Sequence, residues 1–305
     1  MEPTYLGAAS FPLVPQRRLV GLTLGALRGS RRGRGYEVIG SRPYRPGDDM
    51  RSIDWAASAR LSSARDDDLF VIRERYVEEA PHVIVLCDHR PSMALYTPPL
   101  PWLSKPRAVR HAVDLIITSA LVERGFLGYL DLAEDEPLWR PPRTQRVLPE
   151  FHDERPYTAP ADALTRGLDY LRVHRRGVPL GTFVFVLSDF LDPPGEEAWI
   201  EVLEHGWDVV PVVIQDATWE QSFPDVAGVV VPLQDPRDGS IRSVRLSARE
   251  VDARRREHEE RLEQLLTRLR TLAVEPVVLP SDNPDEILDA FLGWADIRTT
   301  ARVAP

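Results

Sequence analysis

A chain of 305 residues with 43% hydrophobic and 28% charged side chains has the make-up of a folded protein with a sizeable core, as one main domain with attachments or as two domains. Its formal net charge of -9 excludes a general nucleic-acid coat, which needs a surplus of Lys and Arg to neutralise phosphates. No apolar run approaches the roughly 20 residues of a membrane span, the start Met-Glu-Pro lacks the regions of a secretion signal, and Cys87 has no partner for an internal disulfide; these features point to a cytoplasmic protein.

In chain order, Arg17, Arg18, Arg28, Arg31, Arg32 and Arg34 are interleaved with glycines and read as a flexible basic connector, either a solvated loop or a docking patch for an acidic partner. Residues 36–40 suggest a short strand. The run from Arg42 to Asp49 then turns through two prolines and a glycine, residues 50–61 suggest a short helix, and residues 69–77 suggest a second strand. In this stretch Gly47 permits a tight turn, Asp49 or Ser52 can cap the helix and Trp55 can bury a large apolar area. Alternatively, Asp48, Asp49, Arg51 and Asp54 form an exposed charged ridge for a partner.

From residue 81 the pattern becomes strand and helix in alternation. Val83 to Cys87 and Phe183 to Leu187 are continuous apolar runs of the kind found in strands buried on both faces. Strands are expected at 83–87, 126–132, 182–187 and 209–214, with helices at 107–124, 161–173 and 196–205, which gives a mainly parallel sheet with helices on both faces. A hairpin around Asp235-Pro-Arg-Asp-Gly239 and a long amphipathic helix at 248–272 follow, and the segments 277–279 and 285–292 close the fold. The predicted organisation is an N-terminal extension over 1–80, a doubly wound three-layer α/β domain over 81–232, and a C-terminal hairpin and helices over 233–305 that pack on it.

In such a sheet, ligands bind beyond the carboxyl ends of the strands. Asp88-His-Arg-Pro-Ser-Met93 follows the first buried strand and Ser188-Asp189 ends the third, so two carboxylates and two hydroxyls converge. They suit a Mg²⁺ held by a few oxygens and waters, or they simply cap the following helices.

Asp88-x-x-x-Ser92 with Ser188-Asp189 resembles the metal-ion-dependent adhesion site of von Willebrand factor A domains, whose first loop reads Asp-x-Ser-x-Ser. The segment Arg45-Pro-Gly-Asp-Asp-Met-Arg-Ser-Ile-Asp-Trp-Ala-Ala-Ser-Ala-Arg60, with Pro46, Gly47, Asp48, Asp49, Arg51, Asp54 and Trp55, resembles the signature of one bacterial subgroup, domain of unknown function 58. The resemblance implies a von Willebrand factor A-like fold and a role as adaptor or co-chaperone of a MoxR-type AAA+ ATPase or its client. One departure stands out: Arg90 occupies the place of the first metal-binding hydroxyl. A guanidinium there repels a divalent ion by several kcal/mol and can itself bridge Asp88 and Asp189. The usual second-loop threonine falls at Asp162, with Thr158 just upstream.

The expectation is therefore a degenerate adhesion site of Asp88, Arg90, Ser92 and Asp189 that takes a partner's acidic group on Arg90, with no resident cofactor; bound Mg²⁺ is the alternative. Against catalysis, the chain has no phosphate-binding Gly-x-x-x-x-Gly-Lys loop, no Gly-x-Ser-x-Gly elbow, no His-Glu-x-x-His pair and no Cys-x-x-Cys; its single lysine, Lys105, lies in Leu-Ser-Lys-Pro. His89, His111, His152, His174 and His258 form no visible constellation. The competing reading is a Mg²⁺-dependent hydrolase or phosphoryl-transfer enzyme using Asp88, Asp189 and Asp192; nucleic-acid contact through residues 17–34 is the third.

Overall fold

A computed structural model describes residues 9–16, 38–44, 50, 53–65, 70–75, 80–96, 102–134, 136–151, 155–235 and 240–303. The chain divides into two compact units, Arg17–Ala80, and Met1–Gln16 together with Pro81–Pro305. The basic connector, and Pro46, Gly47, Asp48, Asp49 and Arg51 of the signature, lie outside the described residues.

In the smaller unit β1 (Val38–Pro43) pairs antiparallel with β2 (Val71–Arg75), and α1 (Trp55–Arg65) lies between them in sequence. The helix starts later than the hydrophobic pattern suggests because Asp54 caps it, its Oδ1 accepting from the Ala57 N–H at 3.0 Å. Trp55 does not bury the area expected of it. It is 60% exposed and meets Phe70 edge-on at 6.0 Å.

The larger unit is built on a six-stranded sheet. β3 (His82–Cys87), β4 (Phe126–Asp131), β6 (Phe183–Ser188), β7 (Asp208–Ile214) and β10 (Val277–Leu279) run parallel, and β5 (Leu138–Thr144) closes one edge antiparallel to β4. The order across the sheet is β10-β7-β6-β3-β4-β5. β3, β6 and β7 are central and buried along almost their whole length, which is why their sequences are near-continuous Val, Ile, Leu and Phe. β5 contains Pro141 and Pro142, residues that cannot donate to a ladder and are tolerated at an edge; the same prolines hide it from a sequence reading.

Helices cover both faces. On one, α2 (Lys105–Val122) and α6 (Pro284–Val303) pack with Phe11 and Leu13 over Val83, Val85, Phe185 and Val210. On the other, α3 (Ala163–Val173), α4 (Glu196–Leu203) and α5 (Ala248–Thr271) pack over Ile84, Leu86, Val184 and Val186. Residues 9–16, assigned by sequence to an N-terminal extension, belong to this unit. Phe11 sits 4.6 Å from the Phe291 ring, and its full burial contributes on the order of 2 kcal/mol.

The closing segment expected over 285–292 is part of the longer α6, and Arg298 in its last turns pairs with Asp208 at 2.8 Å. A capping box between Ser247 and Glu250 starts α5. β8 (Val230–Gln234) and β9 (Ile241–Arg245) form the expected hairpin, whose turn at 236–239 is outside the described residues.

Candidate functional site

The sheet brings together the residues that its strand ends forecast. Asp88 follows β3 and Asp189 follows β6; these strands are neighbours, and the Asp88 N–H donates to the Leu187 carbonyl at 3.0 Å. The chain turns sharply after Asp189 because Phe190 adopts a left-handed φ of 48°, a cost of roughly 1–3 kcal/mol. Burial of the Phe190 ring beside Trp199, and a bond from its N–H to Ser188 Oγ at 3.0 Å, hold it there.

Arg90 lies where a metal-binding hydroxyl was in question. Its Nε donates to both oxygens of Asp88 at 3.1 and 2.9 Å, and its Nη2 approaches Asp88 Oδ2 at 2.8 Å. Nη2 also donates to Ser188 Oγ at 3.1 Å and reaches Asp189 Oδ1 at 3.5 Å, while Nη1 donates to the Asp192 carbonyl at 2.9 Å. The guanidinium thus bridges the two carboxylates. With 6% of Arg90 exposed, the expectation that it receives a partner's acidic group gives way to an internal role. Ser188 completes the link by donating to Asp88 Oδ2 at 2.7 Å, and the Ser92 hydroxyl bonds Asp189.

A second cation was missed by the sequence reading. Lys105, at the first turn of α2, is fully buried, with its Nζ 3.0 Å from Asp189 Oδ2 and 2.5 Å from Glu220 Oε1. Glu220 comes from the loop after β7, where Asp216 organises the backbone: its carboxylate accepts from the N–H groups of Leu103, Thr218 and Trp219, and Glu220 Oε2 accepts from the Asp216 N–H. The available signal was compositional. A chain rich in arginine carries one lysine, beside a helix-starting proline and an apolar helical stripe.

Burial alone raises the Asp189 carboxyl, but the Lys105 charge, the Ser92 hydroxyl and Arg90 outweigh it and hold the group below the ordinary carboxylate value. For Glu220 burial dominates over the pull of the Lys105 charge, and with Asp189 repelling it, its pKa stays raised. Burial also disfavours the Arg90 charge, yet the bonds and charge of Asp88 more than offset this and tighten its proton.

The remaining candidates are elsewhere. Thr158 donates to the Ala133 carbonyl at 2.9 Å, and Asp162 is an exposed residue at the start of α3. The Asp192 side chain is exposed; its backbone carbonyl accepts from Arg90, and its carboxylate acts on that guanidinium through its charge. These donors do not fit a divalent cation. Both carboxylates are already engaged by cations, the threonine is turned to a carbonyl, and Arg90 and Lys105 repel a second positive charge. Among the described residues no cluster of three His, Cys, Asp or Glu side chains forms a metal-binding group.

The model of a family described as "Protein of unknown function DUF58" matches residues 40–265. The chain belongs to that family. The DUF58 match spans both the 46–55 signature and the Asp88, Lys105, Asp189 and Glu220 cluster. No curated relative matches the chain significantly. Solved structures similar to this DUF58 chain include a conserved hypothetical protein BatB from Bacteroides thetaiotaomicron, 15% identical, covering 72% of this chain and 99% of its own, with a TM-score of 0.37. An aerotolerance-related membrane protein from Bacteroides fragilis is 14% identical, covers 71% and 99%, and has a TM-score of 0.35. An uncharacterized membrane spanning protein from Vibrio fischeri is 15% identical, covers 73% and 98%, and has a TM-score of 0.23. In the DUF58 chain itself, no helix among the described residues is long and apolar enough to cross a membrane.

Proposed function

We propose that this chain is a non-catalytic, von Willebrand factor A-like binding protein whose strand-end loops grip a protein partner without a metal ion, the partner being a MoxR-type AAA+ ATPase or its client. The observation that carries the reading is the cluster of Asp88, Asp189 and Glu220, each paired from within with Arg90 or Lys105. Arg90 and Lys105 supply the positive charge that a divalent ion supplies in an adhesion-type site, so the loops stay ordered with no cofactor. The same pairing weighs against the Mg²⁺-dependent hydrolase: a base or metal ligand needs a free carboxylate lone pair facing substrate, and Asp88 and Asp189 face protein cations.

Isothermal titration with Mg²⁺ and Mn²⁺, for the wild type and for Arg90→Ser, tests the metal-free site. Wild type is expected to give no saturable heat, and the variant, with a hydroxyl restored, to gain affinity. Tight binding by wild type overturns the reading and puts a metal-bridged adhesion site and the Mg²⁺-dependent enzyme ahead of it. Co-elution of the chain with a purified MoxR-type ATPase of the same organism tests the partner.

A further inference from the structure

The opposite edge of the sheet, where the strands begin, carries a different surface. The turn between α2 and β4, the end of β5 and the α3–β6 connection all come to this edge, because each parallel strand is entered from a helix end and β5 runs back along β4. These loops are held side by side. Gln145 Nε2 donates to the Arg124 carbonyl at 2.6 Å, which joins the end of β5 to the turn after α2. The Arg143 guanidinium reaches Gly177 in the α3–β6 connection, its Nη2 3.7 Å from where a Cβ would stand. The Gly181 N–H donates to the Gly206 carbonyl at 2.9 Å and ties that connection to the turn before β7.

Two kinds of side chain stand out from this edge. Arg124, Arg143, Arg146, Arg175 and Arg176 are exposed, and none of them forms an ion pair among the described residues. Their neighbour Arg172 differs, being paired with Asp169 and Glu201. The acidic residues of the same loops are Glu204 and Glu123, and one oxygen of Glu123 accepts from the Leu13 N–H at 3.1 Å. The edge is thus locally positive in a chain whose net charge is -9. Between the arginines stand aliphatic side chains that the fold leaves in water: Val122 is 56% exposed, Val173 68% and Leu180 63%.

Arginines interleaved with single aliphatic side chains favour one class of surface over others. A strand of nucleic acid is met by exposed aromatic rings on which bases stack, and a protein interface by a charge-poor apolar centre; among their described residues these loops expose no Phe, Tyr or Trp, and charge surrounds each aliphatic. Anionic lipid takes both kinds of group, its phosphates facing the guanidinium groups while aliphatic side chains enter the apolar boundary beneath. We infer that this edge docks on an anionic lipid surface, with Arg143, Arg175 and Arg176 on the phosphates and Val173 and Leu180 inserted beside them. The ion cluster lies a strand's length away, about 20 Å, on the edge that then faces away from the lipid. Docking therefore leaves those loops open to a protein partner and does not depend on one.

The full chain is sedimented with vesicles of phosphatidylcholine alone and of phosphatidylcholine mixed with phosphatidylglycerol. Binding is expected to the mixed vesicles only, and to weaken as salt is raised. Arg175→Gln combined with Arg176→Gln is expected to weaken it about fivefold for each charge removed, and Leu180→Ser about tenfold. Circular dichroism melts establish that the variants are folded. Arg249→Gln combined with Arg256→Gln, which removes two exposed arginines from α5, is expected to leave binding unchanged. Failure to bind the mixed vesicles, equal binding to the neutral ones, or an equal loss from the α5 pair overturns the inference. So does undiminished binding without Arg175 and Arg176, or capture of a single-stranded oligonucleotide that the mixed vesicles do not displace.

Discussion

Where β3 meets β6 the carboxyl edge of the sheet is packed with charge, and where β3 meets β4 it leaves an open cavity. Both places receive an acidic residue from a strand end, Asp189 in the first and Asp131 in the second. At Asp189 two cations arrive from different elements, Arg90 from the loop after β3 and Lys105 from α2, and their long side chains fill the space between the loops. At Asp131 one cation arrives, Arg155, and the neighbouring side chains are a thiol, a phenol and an imidazole, too short to close the gap. Order at the first place comes from shared ion pairs, and at the second from the walls.

Removing a cation is the hardest test of that contrast. Lys105→Met leaves Asp189 and Glu220 buried with their shared partner gone, and a loss of roughly 3–5 kcal/mol is expected in urea unfolding at neutral pH. The loss is expected to shrink as the pH falls and the two carboxylates take up protons. A change below 1 kcal/mol would show that the cluster behaves like a surface ion pair.

Asp131→Asn is expected to cost less, about 1–3 kcal/mol by the same measurement, because Arg155 is partly open to water and solvates itself when released. A cost equal to that of Lys105→Met would erase the distinction between the two places.

The smallest expected effect is a pH slope. His89 and His258 have folded pKa values below 6.5, chiefly because burial disfavours the imidazolium. A depressed pKa means that the unfolded chain binds more protons, so stability is complete above pH 6.5 and declines as the pH falls toward the folded values. Urea midpoints at several pH values are expected to show this decline, and His89→Asn to flatten part of it. An unchanged slope in the variant would place the titration elsewhere.

Much of this was legible in the sequence, for local reasons. The apolar runs 83–87 and 183–187 name central strands, and a strand's carboxyl end fixes where Asp88 and Asp189 must appear. Arg90 was readable as a bridge because it stands two residues from Asp88. Lys105 and Glu220 were not, since neither is near the other or near Asp189 in sequence; the crossing of α2 over the sheet and the turn after β7 bring them together. The cavity is less visible still, being defined by side chains that stop short. The sequence also favoured a helix cap at Asp49 or Ser52 over Asp54, and a buried Trp55 over the exposed one, because patterning cannot say how much structure will cover a small unit.

Lys105 is the single lysine of the chain and Cys87 its single cysteine. Lys105 is fully buried, whereas Cys87 is at the lining of the cavity. Besides the terminal amine, an amine reagent therefore finds one internal target, and labelling there waits for the fold to open, while the cavity leads a thiol reagent to its one target. The rate of the lysine adduct reports, without any introduced probe, when the charged half of the sheet edge yields.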